Sequence, residues 1–209
     1  MEIALPLWDF LKRKPPADFK PQHEGGRLEA RFVDIVVVFD VETILQSCPE
    51  PSRDPKKPTR IPQDGAYLLT ETRFLADPAT HATESLSLHQ VLDCGLFWHG
   101  WSMSANIVKG AIIYGIDSRN RSSVTAQATA FEHEAAVPIP VQDPVTGAVN
   151  AMEFEAQQQT RYYLASAVLH PGREEFDVRF YITERDRGSG DIKLVGYFIW
   201  SPSLNVKAD

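Results

Sequence analysis

From Leu28 to the C-terminus, no stretch of a dozen residues repeats its apolar side chains with a helical period of 3.6. A chain of this kind has to bury its apolar surface by packing sheets on one another. Short apolar runs follow each other instead. Ile35, Val37, Phe39 and Val41 face one way and Val36 and Val38 the other, which predicts a strand apolar on both sides and central in its sheet. Further strands are predicted over 66–73, 84–88, 92–103, 108–116, 123–131, 160–169, 175–184 and 192–200. In the 175–184 strand Phe176, Val178, Phe180 and Ile182 alternate with Asp177, Arg179 and Tyr181, as in a half-buried antiparallel strand. Arg185-Asp-Arg-Gly-Ser-Gly-Asp191 supplies glycines able to take positive φ and so close a hairpin between the last two.

The chain has 209 residues and 15 prolines against 12 glycines. It is long enough for a real core, and rigid connections are frequent. Pro49, Pro51, Pro55, Pro58 and Pro62 punctuate a long loop that cannot be helical, and at most a short helix fits Glu42 to Gln46. The expected fold is all-β: a two-sheet antiparallel sandwich, jelly-roll-like, over residues 31–209. Residues 1–30 read as an N-terminal arm and linker, broken by Pro15-Pro16, Pro21 and Gly25-Gly26. Leu7, Trp8 and Phe10 are too apolar for a solvated tail and are the candidates for docking on the domain or on another copy, that is, for self-association.

A formal net charge of −7 opposes binding to phosphate backbones, so nucleic acid is not an expected partner. No run approaches the roughly 20 apolar residues of a membrane span. Lys12-Arg13-Lys14 follows the apolar segment rather than preceding it, the reverse of an export signal. Two cysteines, Cys48 and Cys94, suit small buried thiols in a reducing compartment, and a cytoplasmic location is expected.

Asp40 and Glu42 end an apolar run, as carboxylates do at the start of many metal-dependent nuclease sites. In a strand they would share one face about 7 Å apart and could hold two cations. The nuclease arrangement, however, needs helices carrying further aspartates, and the proline loop supplies none. An acidic pair that forms a solvated rim or anchors a loop is the alternative reading. No nucleophile elbow, phosphate loop or zinc-binding histidine pair is present, and the histidines are scattered. The chain reads as a non-enzyme, with no catalytic residue, metal or cofactor expected.

Phe97-Trp-His-Gly-Trp101 is the one stretch that resembles a ligand surface. Alternation directs Trp98 opposite to Phe97, His99 and Trp101, so one set joins the core and the other can face solvent. Trp98, His99 and Trp101 are the candidate ligand-binding residues, since flat rings stack on sugars, and core packing of both tryptophans is the competing reading.

Five stretches carry a family resemblance: Asp34-Ile-Val-Val-Val-Phe-Asp-Val-Glu-Thr-Ile-Leu45, the proline loop Cys48 to Thr59, Gly100-Trp-Ser-Met-Ser-Ala-Asn106 with Ala111 to Ile116, Glu175-Phe-Asp-Val-Arg-Phe180, and Val195-Gly-Tyr-Phe-Ile-Trp-Ser-Pro202. Together they resemble the AidA/PixA family of bacterial inclusion-body proteins. Arg60 stands where members usually have glycine, and Ser201 where they usually have aspartate. The resemblance implies a cytoplasmic β-sandwich that accumulates heavily, in some members as crystalline inclusions, with no established activity. The expected function is therefore a self-associating, homo-oligomeric storage or stress- or quorum-regulated inclusion protein. A lectin-like module for carbohydrate or another small ligand is the alternative, and a two-metal nuclease a remote one.

Overall fold

The computed structural model describes residues 32–92, 94–119, 124–143 and 145–208. The expected arm, with Leu7, Trp8 and Phe10, lies outside them. The chain forms two packed sheets. Strand β1 (Phe32–Phe39) runs into helix α1 (Val41–Ser47), and the proline loop leads to β2 (Thr59–Arg60), β3 (Ala66–Leu69) and β4 (Ser85–Leu88). Then follow β5 (Gly95–Ser102), β6 (Lys109–Ser118), β7 (Thr129–Gln142), β8 (Val149–Ala167), β9 (Gly172–Arg185), β10 (Ile192–Trp200) and β11 (Ser203–Val206).

The first sheet has the order β3-β1-β5-β8-β7, and the second β2-β10-β9-β11-β4, with β6 also paired to β9. The all-β sandwich expected from the sequence is present, but its sheets are mixed rather than purely antiparallel. β1 pairs with β5 in parallel, as do β10 with β2 and β11 with β4. The reason is connectivity: the chain leaves β1 through α1 and the proline loop and returns at β5 only after a long excursion. Such a crossover lets two strands run the same way, whereas a tight hairpin forces them antiparallel.

Between the sheets, β1 contributes Val33, Ile35, Val37 and Phe39, β9 contributes Phe176, Val178, Phe180 and Ile182, and β10 adds Phe198 and Trp200, all buried. Phe39 stacks on Phe180 at 4.1 Å between ring centroids, and Phe180 on Phe198 at 5.5 Å, so one aromatic column ties β1 to the opposite sheet. Each such ring, fully buried, contributes roughly 1.5–3 kcal/mol relative to exposure.

α1 starts where the strand pattern stops. Asp40 is its N-cap: one carboxylate oxygen accepts from the Thr43 N–H at 3.1 Å and the other from the Thr43 hydroxyl at 2.8 Å. Val41 and Ile44 turn inward, and the helix ends at Ser47, two residues before Pro49.

The largest departure from expectation is the β7–β8 hairpin. Strands predicted over 123–131 and 160–169 are the roots of a much longer ribbon. β7 pairs with β8 from Thr129↔Ala165 to Gln142↔Val149, whereas β5 pairs with β8 only over Leu164 to Ala167. Beyond Tyr162 the ribbon has two strands and, among the described residues, no third.

Candidate functional site

β5 sits between β1 and β8, and that register decides which of its side chains are inside. Leu96 and Trp98 point to the core, and Phe97, His99 and Trp101 to the outer face of the first sheet. Trp98 is fully enclosed, donates its indole N–H to the Ser166 hydroxyl at 3.1 Å, and meets Phe176 edge-on at 5.4 Å. Trp98 is therefore packed as a core residue with its donor engaged, while its edge borders the cleft where β5 and β8 separate. Trp101 is 42% exposed, which corrects the competing reading for that residue.

His99 and Trp101 are accessible in different ways. The imidazole Nε2 of His99 lies 3.0 Å from Asp34 Oδ1 and its ring 5.6 Å from that of Tyr163. Tyr163 is the hub of an aromatic row on this face. Phe32 stacks on Phe97 at 4.7 Å, Phe97 meets Tyr163 at 4.8 Å, and Tyr163 stacks on Phe131 at 5.9 Å. Burial first, and the Asp34 carboxylate second, raise the Tyr163 hydroxyl above its ordinary pKa and keep it neutral.

Past Trp98 the strands β5 and β8 splay apart, leaving a cleft of about 300 Å³ whose lining includes all three sequence-predicted residues, Trp98, His99 and Trp101, together with Arg161, Tyr162 and Ile112. Asn106 closes its floor. Its side-chain oxygen accepts from the N–H groups of Ser102 and Ala111, both at 2.9 Å, and its amide donates to the Gly100 carbonyl at 3.2 Å. One side chain thus satisfies backbone groups of β5 and β6 where the sheets separate. The sequence singled out Trp98, His99 and Trp101, and Tyr162 raised the same choice between core and ligand surface, but it gave no sign of Arg161, nor that Tyr162 meets Trp101, because only the splay of two distant strands brings them there.

Asp40 and Glu42 do not form the strand-borne pair considered above, because the strand ends at Phe39. Asp40 caps α1, and Glu42, in its first turn, accepts from the Lys109 ammonium at 2.5 Å. Both carboxylates hold architecture in place, the loop-anchor alternative. Among the described residues no three His, Cys, Asp or Glu side chains converge on a metal-sized site. Cys94 is buried and Cys48 half-buried, and neither forms a disulfide among the described residues. Among the described residues, no helix is long and apolar enough to cross a membrane.

The ribbon is the other accessible feature. Val145 at its turn is 91% exposed, and Met152 and Phe154 on β8 are 90% and 74% exposed. Side chains this apolar and this open lie on a ribbon that has no third strand among the described residues.

The chain is an all-β sandwich of two mixed sheets whose acidic motif caps a helix and forms an ion pair. The family model for PixA, described as inclusion body protein, matches residues 31–206, and the chain belongs to that family. A crystal structure of an inclusion body protein of the same family from Burkholderia cenocepacia J2315 is similar, with a TM-score of 0.69 and 24% identity. The alignment covers 87% of this chain and 99% of that one. At that identity the likeness concerns the fold. No protein with curated function matches the chain.

Proposed function

We propose that this is a non-enzymatic protein that associates with its own copies and accumulates in the cytoplasm as an inclusion or store. The observation that carries the reading is the uncovered ribbon: Val145, Met152 and Phe154 form an apolar tip beyond the sandwich. Membership of the PixA inclusion body family supports it. So does the use of Asp40 and Glu42 in helix capping and ion pairing. Sedimentation velocity and light scattering over a concentration series test it. The wild-type mass rises with concentration, and a Met152→Ser/Phe154→Ser variant remains smaller at the same concentration. A wild-type protein that stays a strict monomer at high concentration overturns it.

A second reading has its own observation. The half-exposed indole of Trp101 beside Tyr162 and Arg161 lines a cleft large enough for a monosaccharide. In this reading Trp101 stacks on a carbohydrate or similar small ligand, with His99 lining the same cleft. A glycan array read against Trp101→Ala decides it, and silence across all sugars removes it.

A further inference from the structure

Arg161 is a half-buried cation whose side chain makes no ion pair, hydrogen bond or ring contact among the described residues. The other described lysines and arginines without a side-chain partner, Lys56, Lys57, Arg187 and Lys207, are exposed to water. Register explains the lack. On the β7–β8 ladder Arg161 lies opposite His133, whereas Glu132 is opposite Tyr162 and Glu134 opposite Thr160. Opposed residues share a face and successive residues alternate, so both carboxylates lie on the other side of the ribbon. The same-face neighbours of Arg161 along its own strand are Gln159 and Tyr163, neither of them acidic. Across the cleft, His99 already engages Asp34 at 3.0 Å. A guanidinium drawn partly out of water without a counter-ion is costly, and a bound anion offsets that cost.

The rest of the site is flat and apolar. Trp101 is half-exposed and no ring stacks on it among the described residues, in contrast to the packed row Phe32, Phe97, Tyr163 and Phe131. It lines the same cleft as Arg161, with half-exposed Tyr162 beside them. Because β8 pairs with β5 only over Leu164 to Ala167, the edge of β8 along Gln159 to Tyr162 has no strand paired to it on the cleft side. Its main-chain groups are open to the polar atoms of a ligand.

These features set the size and charge of the ligand. The cleft, about 300 Å³, is at the small end of the roughly 300–1,000 Å³ usual for ligand sites, and admits one ring rather than a chain of them. A single arginine without a partner, in a chain of formal net charge −7, suits one negative charge better than the two of a phosphate ester. A planar carboxylate takes two parallel N–H bonds from a guanidinium.

We propose that this cleft binds a small carboxylate bearing one ring, an acidic monosaccharide or an aromatic acid, whose carboxylate pairs with Arg161 and whose ring lies on Trp101. The inference rests on the ligand cleft of the second reading above and adds the charge of the ligand.

NMR titration of the full chain tests it, following the amides of residues 98–101 and 159–162 and the Trp101 indole N–H. D-glucuronate is compared with D-glucose, and benzoate with benzamide, at matched ionic strength. In wild type at least one acid binds about tenfold more tightly than its neutral counterpart. Arg161→Gln abolishes that preference and leaves the neutral compound unaffected, Arg161→Lys keeps part of it, and Trp101→Ala weakens acid and neutral compound alike. Unchanged amide positions in β1 and β9 report an intact sandwich in each variant. A preference for glucuronate supports both the inference and the carbohydrate reading. A preference for benzoate, with no response to either sugar, supports the inference and counts against the carbohydrate reading. Glucuronate and glucose bound alike, with benzoate no tighter than benzamide, overturns the inference and leaves the carbohydrate reading standing. Binding of none of the four, or an acid preference that survives in Arg161→Gln, also overturns the inference.

Discussion

Gly196 lies so close to Pro51 that a Cβ at position 196 would be 2.6 Å from the proline Cβ and 2.7 Å from its Cγ. The proline loop is held against β10 at this point, since the Tyr197 N–H donates to the Ser52 carbonyl at 2.8 Å. Two stretches of the family resemblance, Cys48 to Thr59 and Val195 to Pro202, thus meet at one van der Waals contact. Gly196→Ala drives a methyl into the ring and destabilises by about 1–3 kcal/mol. Pro51→Gly removes the obstruction, so the double variant loses less than the two single losses added together. Urea unfolding of the four proteins measures this, and strict additivity would show that the two residues do not press on each other.

Asp40 separates a cap from a metal ligand. Asp40→Ala strands the Thr43 N–H in the first turn of α1 and costs about 1 kcal/mol, whereas Asp40→Asn keeps an acceptor and costs a few tenths. Thermal unfolding with and without manganese checks the point. The wild-type midpoint does not move with the metal, and a metal-dependent rise lost in Asp40→Asn would restore the cation reading.

The sequence exposed some of this fold more readily than the rest. Phe176 to Ile182 alternate because β9 has one face in the core, and the glycines after Arg185 announce the turn, so the β9–β10 hairpin was legible. The β7–β8 ribbon was not. Beyond Tyr162 the run Gln157-Gln158-Gln159 on β8 shows no apolar alternation, and Pro138 and Pro140 on β7 read as strand breakers although they lie within the ladder. Parallel pairing of β1 with β5 was equally hidden, because it depends on a crossover of more than fifty residues and not on either strand. At the candidate site, alternation placed Trp98 and Trp101 on opposite faces. Which face lies inside is set by pairing with β1 and β8, which no local pattern encodes.

Arg60 and Ser201, the two positions where the chain departs from the pattern it resembles, touch each other. The Arg60 guanidinium donates to the Ser201 hydroxyl, which donates to Asp177 at 2.8 Å, and Arg60 also lies 3.6 Å from that carboxylate. Ser201→Asp alone sets two carboxylates side by side with Arg60, and also Arg119 at 3.5 Å from Asp177, to compensate. Arg60→Gly alone removes an exposed pair and costs under about 1 kcal/mol. Combined, they exceed their sum by about 0.5–1 kcal/mol, and the excess shrinks in high salt. A coupling of zero in a double-mutant cycle would mean that the two departures are independent.

In the β9–β10 turn, Asp186 accepts from the Ser189 N–H at 3.0 Å, the Lys193 ammonium at 2.9 Å and the Gly188 N–H at 2.8 Å. These bonds favour its charged form and lower its pKa from 3.8 to about 2. A carboxyl depressed on folding contributes stability that is complete above the unfolded value and is lost as pH falls through the folded one. The Asp186 contribution is therefore present above about pH 4 and disappears toward pH 2. Asp186→Asn flattens this part of the stability profile. A carboxyl titration followed by NMR would refute the argument if Asp186 titrated near 4.

Glu174 is fully buried in β9, where one carboxyl oxygen accepts from the Thr125 N–H at 2.9 Å and the other, Oε1, has no partner among the described residues. It holds the segment before β7 against β9, beside a cavity of about 210 Å³ that it lines with Ser166, Gln127 and Phe176. Half of that anchor is useful and half is costly, because the bond to Thr125 satisfies a backbone donor while the orphan oxygen is desolvated without return. Glutamine has the same shape, can keep the acceptor for Thr125 and carries no charge. Glu174→Gln therefore leaves stability unchanged or raises it by up to about 1–2 kcal/mol. Glu174→Ala removes the acceptor, strands the Thr125 N–H and enlarges the cavity, at a cost of about 2–3 kcal/mol. Guanidinium unfolding of the three proteins checks the order. A glutamine variant as unstable as the alanine one would show that the unpaired oxygen, and not the bond to Thr125, is what the fold needs from this residue.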